Sequence, residues 1–402
     1  MSRVAIDIGG TFTDVVAMDE RGDISVGKSL STPTHLLDGI LSGLRYSGTE
    51  VEDVAFLLHG STVVINSLIE RRGAETALIT TEGFRDVYEI GRVNRPDAFN
   101  LAFRRPRPLI PRRRVFEAPE RMRADGSAQR PLDEAAIRTI AGRLRADGVQ
   151  SVAVALLHAY RNPSHELRIG EILAEELPGV FVSLSHELSR EYREYERTST
   201  VAANAFVGPV VADYLASLDD AFRSGGGAIA IMQSNGGLAG IERIRRQSVQ
   251  MLESGPAGGV VATIEACRHL GYEHAIAFDM GGTTAKASIV RDLAFPIASE
   301  YFVGGYAEGL PIRVPCLDIV EVGTGGGSIA SVDIGGGIHV GPRSAGSEPG
   351  PACYGRGGVD ATVTDASVVL GIIDSNQRLS GVSACTPMPP ATPSRLSPSS
   401  SA

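Results

Sequence analysis

Two stretches of the chain repeat one pattern of apolar and polar positions. The apolar runs 4–6 and 275–278 each lead into an Asp-x-Gly-Gly-Thr phrase, which is followed by an alternating run at 15–18 or 287–290. Alternation with a period of two on both sides of a two-glycine turn is typical of a β-hairpin. We therefore predict a hairpin at each place. Equivalent residues are each 272 positions apart: Asp7 and Asp279, Gly9 and Gly281, Gly10 and Gly282, and Thr11 and Thr283.

Between the hairpins, short apolar segments alternate with segments of helical periodicity. This order favours a layered α/β fold. A polar segment rich in proline and arginine, at about 92–130, interrupts the pattern. We predict strands at 54–58, 76–79, 152–157, 180–184 and 228–232, and helices at 34–47, about 63–72, 132–147, 164–176, 192–222 and 256–270.

Composition changes this picture little. The chain has 402 residues, of which 43% are hydrophobic, enough for two or three domains with real cores. A net charge of −9 argues against nucleic-acid binding, and the arginine-rich run 104–114 is interpreted as a solvated loop. We expect no membrane span, and four scattered cysteines without a CxxC pair indicate reduced thiols and a cytoplasmic protein.

The hairpin phrases carry the candidate chemistry. Paired glycines let backbone N–H groups approach an anion, threonine adds a hydroxyl donor, and aspartate offers a hard oxygen for Mg²⁺. Two ordinary glycine turns are the plain alternative, but the repetition favours a cleft between two related lobes that holds a polyphosphate and its metal. The candidate metal ligands and catalytic residues are Asp7 and Asp279. The candidate phosphate-binding residues are Gly9, Gly10, Thr11, Thr13, Gly281, Gly282, Thr283 and Thr284.

Further candidates lie outside the hairpins. His59 follows a predicted strand and precedes a helix, so it is a candidate general acid or base, or a loop histidine with a structural hydrogen bond. Arg92, Asn94 and Arg95 are candidates for binding a substrate amide or carboxylate, with solvated loop residues as the alternative.

Two other segments favour structural interpretations at least as strongly. For Glu194, Glu196 and Arg197, at a predicted helix start, we favour a salt-bridged helix face over a functional site. The glycine-rich segment 323–327 is either a phosphate- or substrate-contacting loop or a tight turn between lobes.

Several sequence phrases, in the same order along the chain, resemble those of one family. The chain resembles the A subunit of the hydantoinase/5-oxoprolinase family, within the sugar kinase–Hsp70–actin superfamily, over residues 3 to about 372. The phrases that carry the resemblance are DIGGTFTD at 7–14, HGST at 59–62, TTEGFRD at 80–86, SREYREYERT at 189–198, MQSNGG at 232–237, ESGPAGG at 253–259, DMGGTT at 279–284, EVGTGGGSIA at 321–330, GPRSAG at 341–346 and PGPACYG at 349–355.

The resemblance implies an actin-like two-lobe ATPase architecture: an N-terminal lobe at 1–185 and a core domain at 186–375. It implies ATP with Mg²⁺ or Mn²⁺, a B-type partner subunit, and ATP-dependent opening of a small cyclic amide such as hydantoin or 5-oxoproline. The alternatives are a ketone carboxylase subunit and an inactive fragment that at most binds a partner.

One departure from the family pattern falls near the end of the chain. Family members resemble one another for some hundreds of residues beyond the segment 364–371, whereas this chain continues into a tail rich in serine, proline and threonine. We therefore predict an incomplete second lobe and a disordered low-complexity tail at 376–402.

Overall fold

The computed structural model describes residues 1–32, 35–92, 99–282, 284–305, 309–333, 335–346 and 348–375. The helices are α1 (Leu36–Ser47), α2 (Val63–Ile69), α3 (Val87–Ile90), α4 (Glu134–Ala146), α5 (Ser164–Glu176), α6 (Ser185–Leu188), α7 (Glu194–Phe222), α8 (Ile241–Arg246), α9 (Ser254–Leu270) and α10 (Val363–Val369). The strands through the first two thirds of the chain are β1 (Ser2–Ile8), β2 (Phe12–Met18), β3 (Ile24–Leu30), β4 (Val54–Ser61), β5 (Thr76–Thr81), β6 (Val115–Ala118), β7 (Arg121–Met122), β8 (Ala128–Arg130), β9 (Ser151–Ala155), β10 (Phe181–Leu184), β11 (Ala228–Met232) and β12 (Leu238–Gly240). The remaining strands are β13 (Ala275–Met280), β14 (Ala285–Val290), β15 (Ile297–Ala298), β16 (Tyr301–Val303), β17 (Leu310–Ile312), β18 (Cys316–Leu317), β19 (Val320–Val322), β20 (Ser328–Val332) and β21 (Ile338–Ser344).

The first sheet is built on the N-terminal hairpin. Its strand order is β12-β11-β4-β1-β2-β3, with β2 antiparallel to both β1 and β3, and β4 parallel to β1. Val4, Ile6 and Ile8 point to one face of β1 and are buried, whereas Asp7 lies on the opposite, exposed face. This period of two fixes the sheet register, so the aspartate is directed away from the core. The strands and helices predicted between the two hairpins are confirmed to within a few residues.

A second, four-stranded sheet is inserted between β4 and β11. Its order is β10-β9-β5-β6, and its strand pairs are parallel. Helices α4 and α5 cover one face, and the first half of α7 covers the other, which explains why all five residues of β9 are buried. The excursion predicted at about 92–130 therefore ends in regular structure, since β6 pairs with β5.

Helix α7 joins the two sheets. It has 29 residues, and it is long and apolar enough to cross a membrane, contrary to the sequence expectation that no segment reaches that length. In the fold, however, 67% of its most apolar window is buried, with its side chains divided between the cores of both sheets. It is therefore a core helix. The predicted boundary at 185 stays a prediction, although β11 and β12 beyond it complete the first sheet.

The second hairpin forms a smaller sheet. Within the described residues this sheet has three strands, in the order β13-β14-β19. One face packs against α9 through Ala277 and Val290. The opposite face, which we call the outer face, is apolar and exposed, and its large side chains are Ile276, Phe278, Met280, Ile289, Val320 and Val322.

The arginine-rich run and the cysteines can also be compared with their predicted environments. Arg112 and Arg114 of the arginine-rich run form ion pairs with Asp86 and Glu75, so this segment is tied to the protein rather than freely solvated. Cys267 and Cys316 are free and buried, as expected for reduced thiols, and Cys353 is also buried. The predicted disordered tail at 376–402 and Cys385 lie outside the described residues.

Candidate functional site

The two repeated phrases fold into the same turn. In the first hairpin, Gly9 N–H donates to Phe12 O at 2.9 Å; in the second, Gly281 N–H donates to Thr284 O at 3.0 Å. The strand registers are also equivalent. Asp7 pairs with Asp14 across β1 and β2, and Asp279 pairs with Lys286 at the same position across β13 and β14. The repeat in sequence is therefore a repeat in backbone geometry.

The two turns face each other across one cleft of about 620 Å³. The turns come into direct contact, since a Cβ atom on Gly282 would lie 2.7 Å from Thr11 Oγ1. Most of the predicted phosphate- and metal-binding residues line this cleft: Asp7, Gly9, Gly10, Thr11, Asp279, Gly281, Gly282 and Thr284. Thr283 lies outside the described residues.

Asp7 stands at the floor of the cleft in a close-fitting space. Its Oδ1 would lie 2.9 Å from a Cβ atom on Gly255 and 3.4 Å from one on Gly60, so both glycines leave room for the carboxylate. The Asp7 side chain is open to the cleft, but the protein atoms around it displace much of its hydration. This desolvation, followed by repulsion from Asp279 and Asp14, raises the pKa of Asp7 to about 6. Three carboxylates gathered in this way form a site that a divalent cation would stabilise.

A pair of serines fixes the floor of the cleft. Ser61 N–H, at the end of β4, donates to Ser254 Oγ at 2.8 Å, and Ser254 Oγ–H donates back to Ser61 O at 2.7 Å. This exchange holds the N-terminus of α9 against the end of β4, although the residues are 193 positions apart. The adjacent Thr62 donates its hydroxyl to Ile8 O, and Asn66 donates to Thr62 Oγ1. Thr62 and Asn66 line the cleft, so the HGST phrase serves mainly to build its wall.

The glycine-rich segment lies against the second turn. Gly326 N–H donates to Gly281 O at 2.9 Å, and Gly327 N–H donates to Gly282 O at 2.6 Å. Thr364 at the start of α10 in turn donates its hydroxyl to Gly326 O at 2.8 Å. Gly326, Gly327 and Thr364 all line the cleft. Of the two interpretations of this segment, the structure thus favours a loop at the candidate site.

The cleft also contains two lysines that the sequence interpretation missed. Lys28 on β3 donates to Asp14 at 2.6 Å. Lys286 on β14 donates to the buried Glu253 at 2.6 Å, and Glu253 also accepts a hydrogen bond from the Tyr301 hydroxyl at 2.6 Å. Burial raises the pKa of Glu253, and Lys286 lowers it in opposition. The signal was present in the sequence, because the 272-residue offset that relates the two aspartates also relates Asp14 to Lys286.

Two predicted site residues do not line the cleft. Thr13 is buried on the other face of β2, where its hydroxyl lies 3.2 Å from Ser31 Oγ, because the period of two directs Asp14 rather than Thr13 into the cleft. His59 is fully buried within β4, and its Nε2 lies 2.8 Å from the Tyr214 hydroxyl. Burial lowers the pKa of His59 to about 4. A buried neutral imidazole bonded to tyrosine fits the structural alternative and lends no support to acid–base catalysis.

Arg92 belongs to a second cavity of about 370 Å³. Its guanidinium forms a two-pronged ion pair with Glu196, at 2.7 and 2.6 Å. Asn94 and Arg95 lie outside the described residues. The salt-bridged helix face expected at the start of α7 is wrong: Glu196 pairs with Arg92 from another element, and Arg197 is buried and donates to Leu156 O and Ser185 Oγ. The cause is that α7 is buried from Glu196 onward, so Glu196 and Arg197 do not lie on an exposed helix face.

Comparison with solved structures defines the class of fold. A nucleotide-free structure of acetone carboxylase superposes with a TM-score of 0.80 at 27% sequence identity, covering 96% of this chain and 57% of that one. The ATP-dependent caprolactamase from Pseudomonas jessenii superposes with a TM-score of 0.78 at 36% identity, covering 95% of this chain and 56% of that one. The predicted actin-like ATPase fold is thereby confirmed.

Comparison with family models gives the family. One described as the hydantoinase/oxoprolinase N-terminal region matches residues 3–177, and one described as hydantoinase/oxoprolinase matches residues 197–388. The chain belongs to the hydantoinase/oxoprolinase family, as its phrases predicted.

Named relatives differ in length from this chain. The caprolactamase subunit alpha from Pseudomonas jessenii is 36% identical over 391 residues, a match that covers 94% of this chain and 56% of the relative. The 5-oxoprolinase 1 of Arabidopsis thaliana is 34% identical over 408 residues, which covers 92% of this chain and 31% of the relative. The chain thus spans about half or less of the length of these relatives.

Proposed function

We propose that this chain forms the phosphate-binding part of an ATP-dependent enzyme that phosphorylates the carbonyl oxygen of a cyclic amide and so permits ring opening. The observation that carries the proposal is the meeting of two identical turns, with Asp7 and Asp279, in one cleft. Relatives named as an ATP-dependent caprolactamase and as a 5-oxoprolinase support the substrate class. A lactam carbonyl carbon is a weak electrophile, and transfer of a phosphoryl group to its oxygen makes that carbon open to attack by water.

The chain's own residues would position the reacting groups. Backbone N–H groups of the two turns and the Thr11 hydroxyl would bind phosphate oxygens, because anions bind where backbone donors converge. The absence of a side chain at Gly282 leaves room for the Thr11 hydroxyl at the place where the two turns meet. Ser61 and Ser254 hold the floor rigid, so Asp7 keeps its place between two glycines. Such positioning accounts for most of what a protein contributes to phosphoryl transfer.

The carboxylates of the cleft fit a divalent cation. Asp7 and Asp279 would hold Mg²⁺ or Mn²⁺, in part through water, with Asp14 nearby. The raised pKa of Asp7, caused in part by its two carboxylate neighbours, is the mark of a site that gathers negative charge. The cation would neutralise charge on the phosphates and on the leaving group.

A ketone carboxylase subunit is the second candidate function, and the likeness to acetone carboxylase favours it specifically. The same cleft would then phosphorylate an enolate oxygen rather than an amide oxygen. The relative named as a subunit alpha supports a multi-subunit assembly, for which we propose a B-type partner. Free buried thiols support a cytoplasmic location.

The test is ATP consumption coupled to a defined substrate. The chain would be assayed with and without a B-type subunit, against hydantoin, 5-oxoproline and caprolactam, and against acetone with bicarbonate. With a lactam labelled by ¹⁸O at its carbonyl, the proposal expects the label in inorganic phosphate, because the carbonyl oxygen leaves with the phosphoryl group. Bicarbonate-dependent consumption of the ketone would instead establish the carboxylase.

A negative result is also informative. Retained binding of polyphosphate without turnover of any of these substrates would support the third alternative, an inactive fragment. If the chain binds no polyphosphate, the assignment of the cleft itself is overturned.

A further inference from the structure

Lysine is almost absent from this protein. The sequence has two lysines, Lys28 and Lys286, against 36 arginines. Both lysines line the cleft between the two hairpins. Arginine carries the positive side-chain charge elsewhere, for example in the exposed ion pairs between α4 and α5. The cleft is therefore the one place where this sequence uses the compact ammonium group rather than the planar guanidinium.

The two lysines occupy different positions of the repeated motif. In the first sheet, residues paired across β1, β2 and β3 read Asp7, Asp14 and Lys28. In the second sheet, residues paired across β13, β14 and β19 read Asp279, Lys286 and Glu321. The order of charge on the second and third strands is thus inverted between the two halves of the cleft.

This inversion gives the two ammonium groups different surroundings. Lys28 is about one-third exposed and donates to the half-exposed Asp14 at 2.6 Å, a pair that water screens. Lys286 is 10% exposed and donates to Glu253, which is 1% exposed, at 2.6 Å. Glu321 lies 3.9 Å away, beyond hydrogen-bond distance. An ammonium group has three donors, so the bond to Glu253 fixes Lys286 and leaves donors for another acceptor.

Glu253 is itself held in place. Its second carboxylate oxygen accepts the Tyr301 hydroxyl at 2.6 Å, and its backbone N–H donates to Ser234 Oγ at 3.2 Å. Glu253 directly precedes α9, whose first turn is fastened to β4 by Ser254. Lys286 lies on β14 directly across from Asp279, and its ammonium group is preorganised by a fixed carboxylate rather than by a mobile surface contact.

We propose that Lys286 binds an oxygen of the polyphosphate chain, on the side of the cleft formed by the second hairpin, with Glu253 and Tyr301 as its positioning residues. The inference rests on the proposed function and deepens it, since it names a phosphate-binding side chain in a site otherwise built from backbone and carboxylates. Lys28, tied to Asp14, does not share this role.

The scarcity of lysine makes the test direct. Feeding lysine labelled with ¹³C at Cε to the expressing cells gives a protein with two lysine signals, which K28R assigns. Addition of magnesium tripolyphosphate to the full chain is expected to shift the Lys286 signal and to leave the Lys28 signal nearly unchanged. A merely structural lysine would show no such selective response.

Matched variants provide the affinity test. K286M is expected to weaken tripolyphosphate binding by about tenfold or more, the usual effect of losing a charge-assisted hydrogen bond, whereas K28M should change it by about threefold at most. E253Q, which keeps the lysine but loosens its anchor, should fall between wild type and K286M. Thermal denaturation checks that each variant is folded. If K286M fails to fold, K286R is used, which keeps the charge and should retain binding within a few-fold of wild type.

The outcomes separate this inference from the proposed function. Equal tripolyphosphate affinity of wild type and K286M, or a shift of the Lys28 signal alone, overturns the role of Lys286 and leaves the phosphate-binding cleft intact. If K286R is the only variant at this position that folds, the inference is overturned when wild type binds tripolyphosphate but its Lys286 signal does not shift. No binding by wild type overturns both.

Discussion

Thr11 and Gly282 touch across the cleft, each from the turn of a different hairpin. A Cβ atom at position 282 would lie 2.7 Å from Thr11 Oγ1, closer than real side-chain contacts allow. The missing side chain of Gly282 therefore leaves room for the Thr11 hydroxyl.

Gly282→Ala is predicted to weaken tripolyphosphate binding by about tenfold, because the added Cβ displaces the Thr11 hydroxyl, a proposed phosphate donor, from its position in the cleft. Isothermal titration would measure this. Gly259→Ala on α9 is the control, since its added Cβ meets no atom within 4 Å. Equal affinities for G282A and G259A would show that the contact has no bearing on binding.

Asp279→Asn is predicted to lower ATP turnover by at least about tenfold in an active assembly, because a carboxylate that orders a divalent cation contributes more than about 1.4 kcal/mol to transition-state stabilisation. The measurement is phosphate release under saturating magnesium. Asp318→Asn, outside the cleft lining, is the matched control. Undiminished turnover in D279N would remove Asp279 from the metal site.

Asp7→Asn is predicted to stabilise the metal-free protein at pH 7.5 but not at pH 4. The pKa of Asp7 is raised from 3.8 to about 6, so the folded state holds a proton more tightly than the unfolded state does. Stability contributed by that proton is complete below pH 3.8 and is lost as the pH rises through 6. Urea denaturation with EDTA present, at both pH values, measures the difference. A gap between D7N and wild type that stays constant with pH would contradict the assignment.

His59→Phe is predicted to have the opposite pH dependence. The pKa of His59 is lowered from 6.5 to about 4, so wild type loses stability as the pH falls from 6.5 towards 4, while the unfolded chain takes up the proton. The variant should lose about 1–3 kcal/mol at pH 7.5, because the Tyr214 hydroxyl is left without its partner, and should show a shallower decline in acid. Tripolyphosphate binding should be unchanged. A large loss of binding with an intact fold would return His59 to the candidate site.

Phe278→Lys is predicted to reduce aggregation at a cost of less than about 0.5 kcal/mol in stability. Phe278 is 67% exposed on the apolar outer face of the second sheet, whereas the neighbouring Ala277 is 9% exposed and faces α9. Ala277→Lys should therefore prevent folding of that sheet. Light scattering and thermal denaturation of both variants test the pair, and similar behaviour of the two would mean that the outer face is covered in solution.

The sequence was most informative where local pattern and fold agree. The hairpins, α5 and β11 follow directly from alternation and helical periodicity, and the shared Asp-x-Gly-Gly-Thr phrase was enough to predict one cleft. Thr13 was misassigned because a two-residue period was counted from Thr11, which lies in the turn rather than in β2. His59 was misassigned because burial by α7, more than a hundred residues later, cannot be read from its neighbours.

The contacts that could not be predicted from the sequence join segments that are distant along the chain. The pairing of Glu253 with Lys286, of Arg92 with Glu196, and of Ser61 with Ser254 depends on how sheets and helices pack, for which the local pattern carries no signal. Lys286 was the exception, since extension of the repeat by a few positions would have identified it.

Helix α7 has a consequence for how this protein is dissected. Val201, Ala202 and Ala205 complete the core of the inserted sheet, while Val207 and Leu215 belong to the core of the first sheet. A recombinant fragment ending at residue 185 would strip both sheets of the same helix at once, and neither would keep a dry interior. The two sheets therefore cannot be separated at the apparent seam between the family models, and a recombinant fragment that keeps either sheet intact has to keep α7 with it.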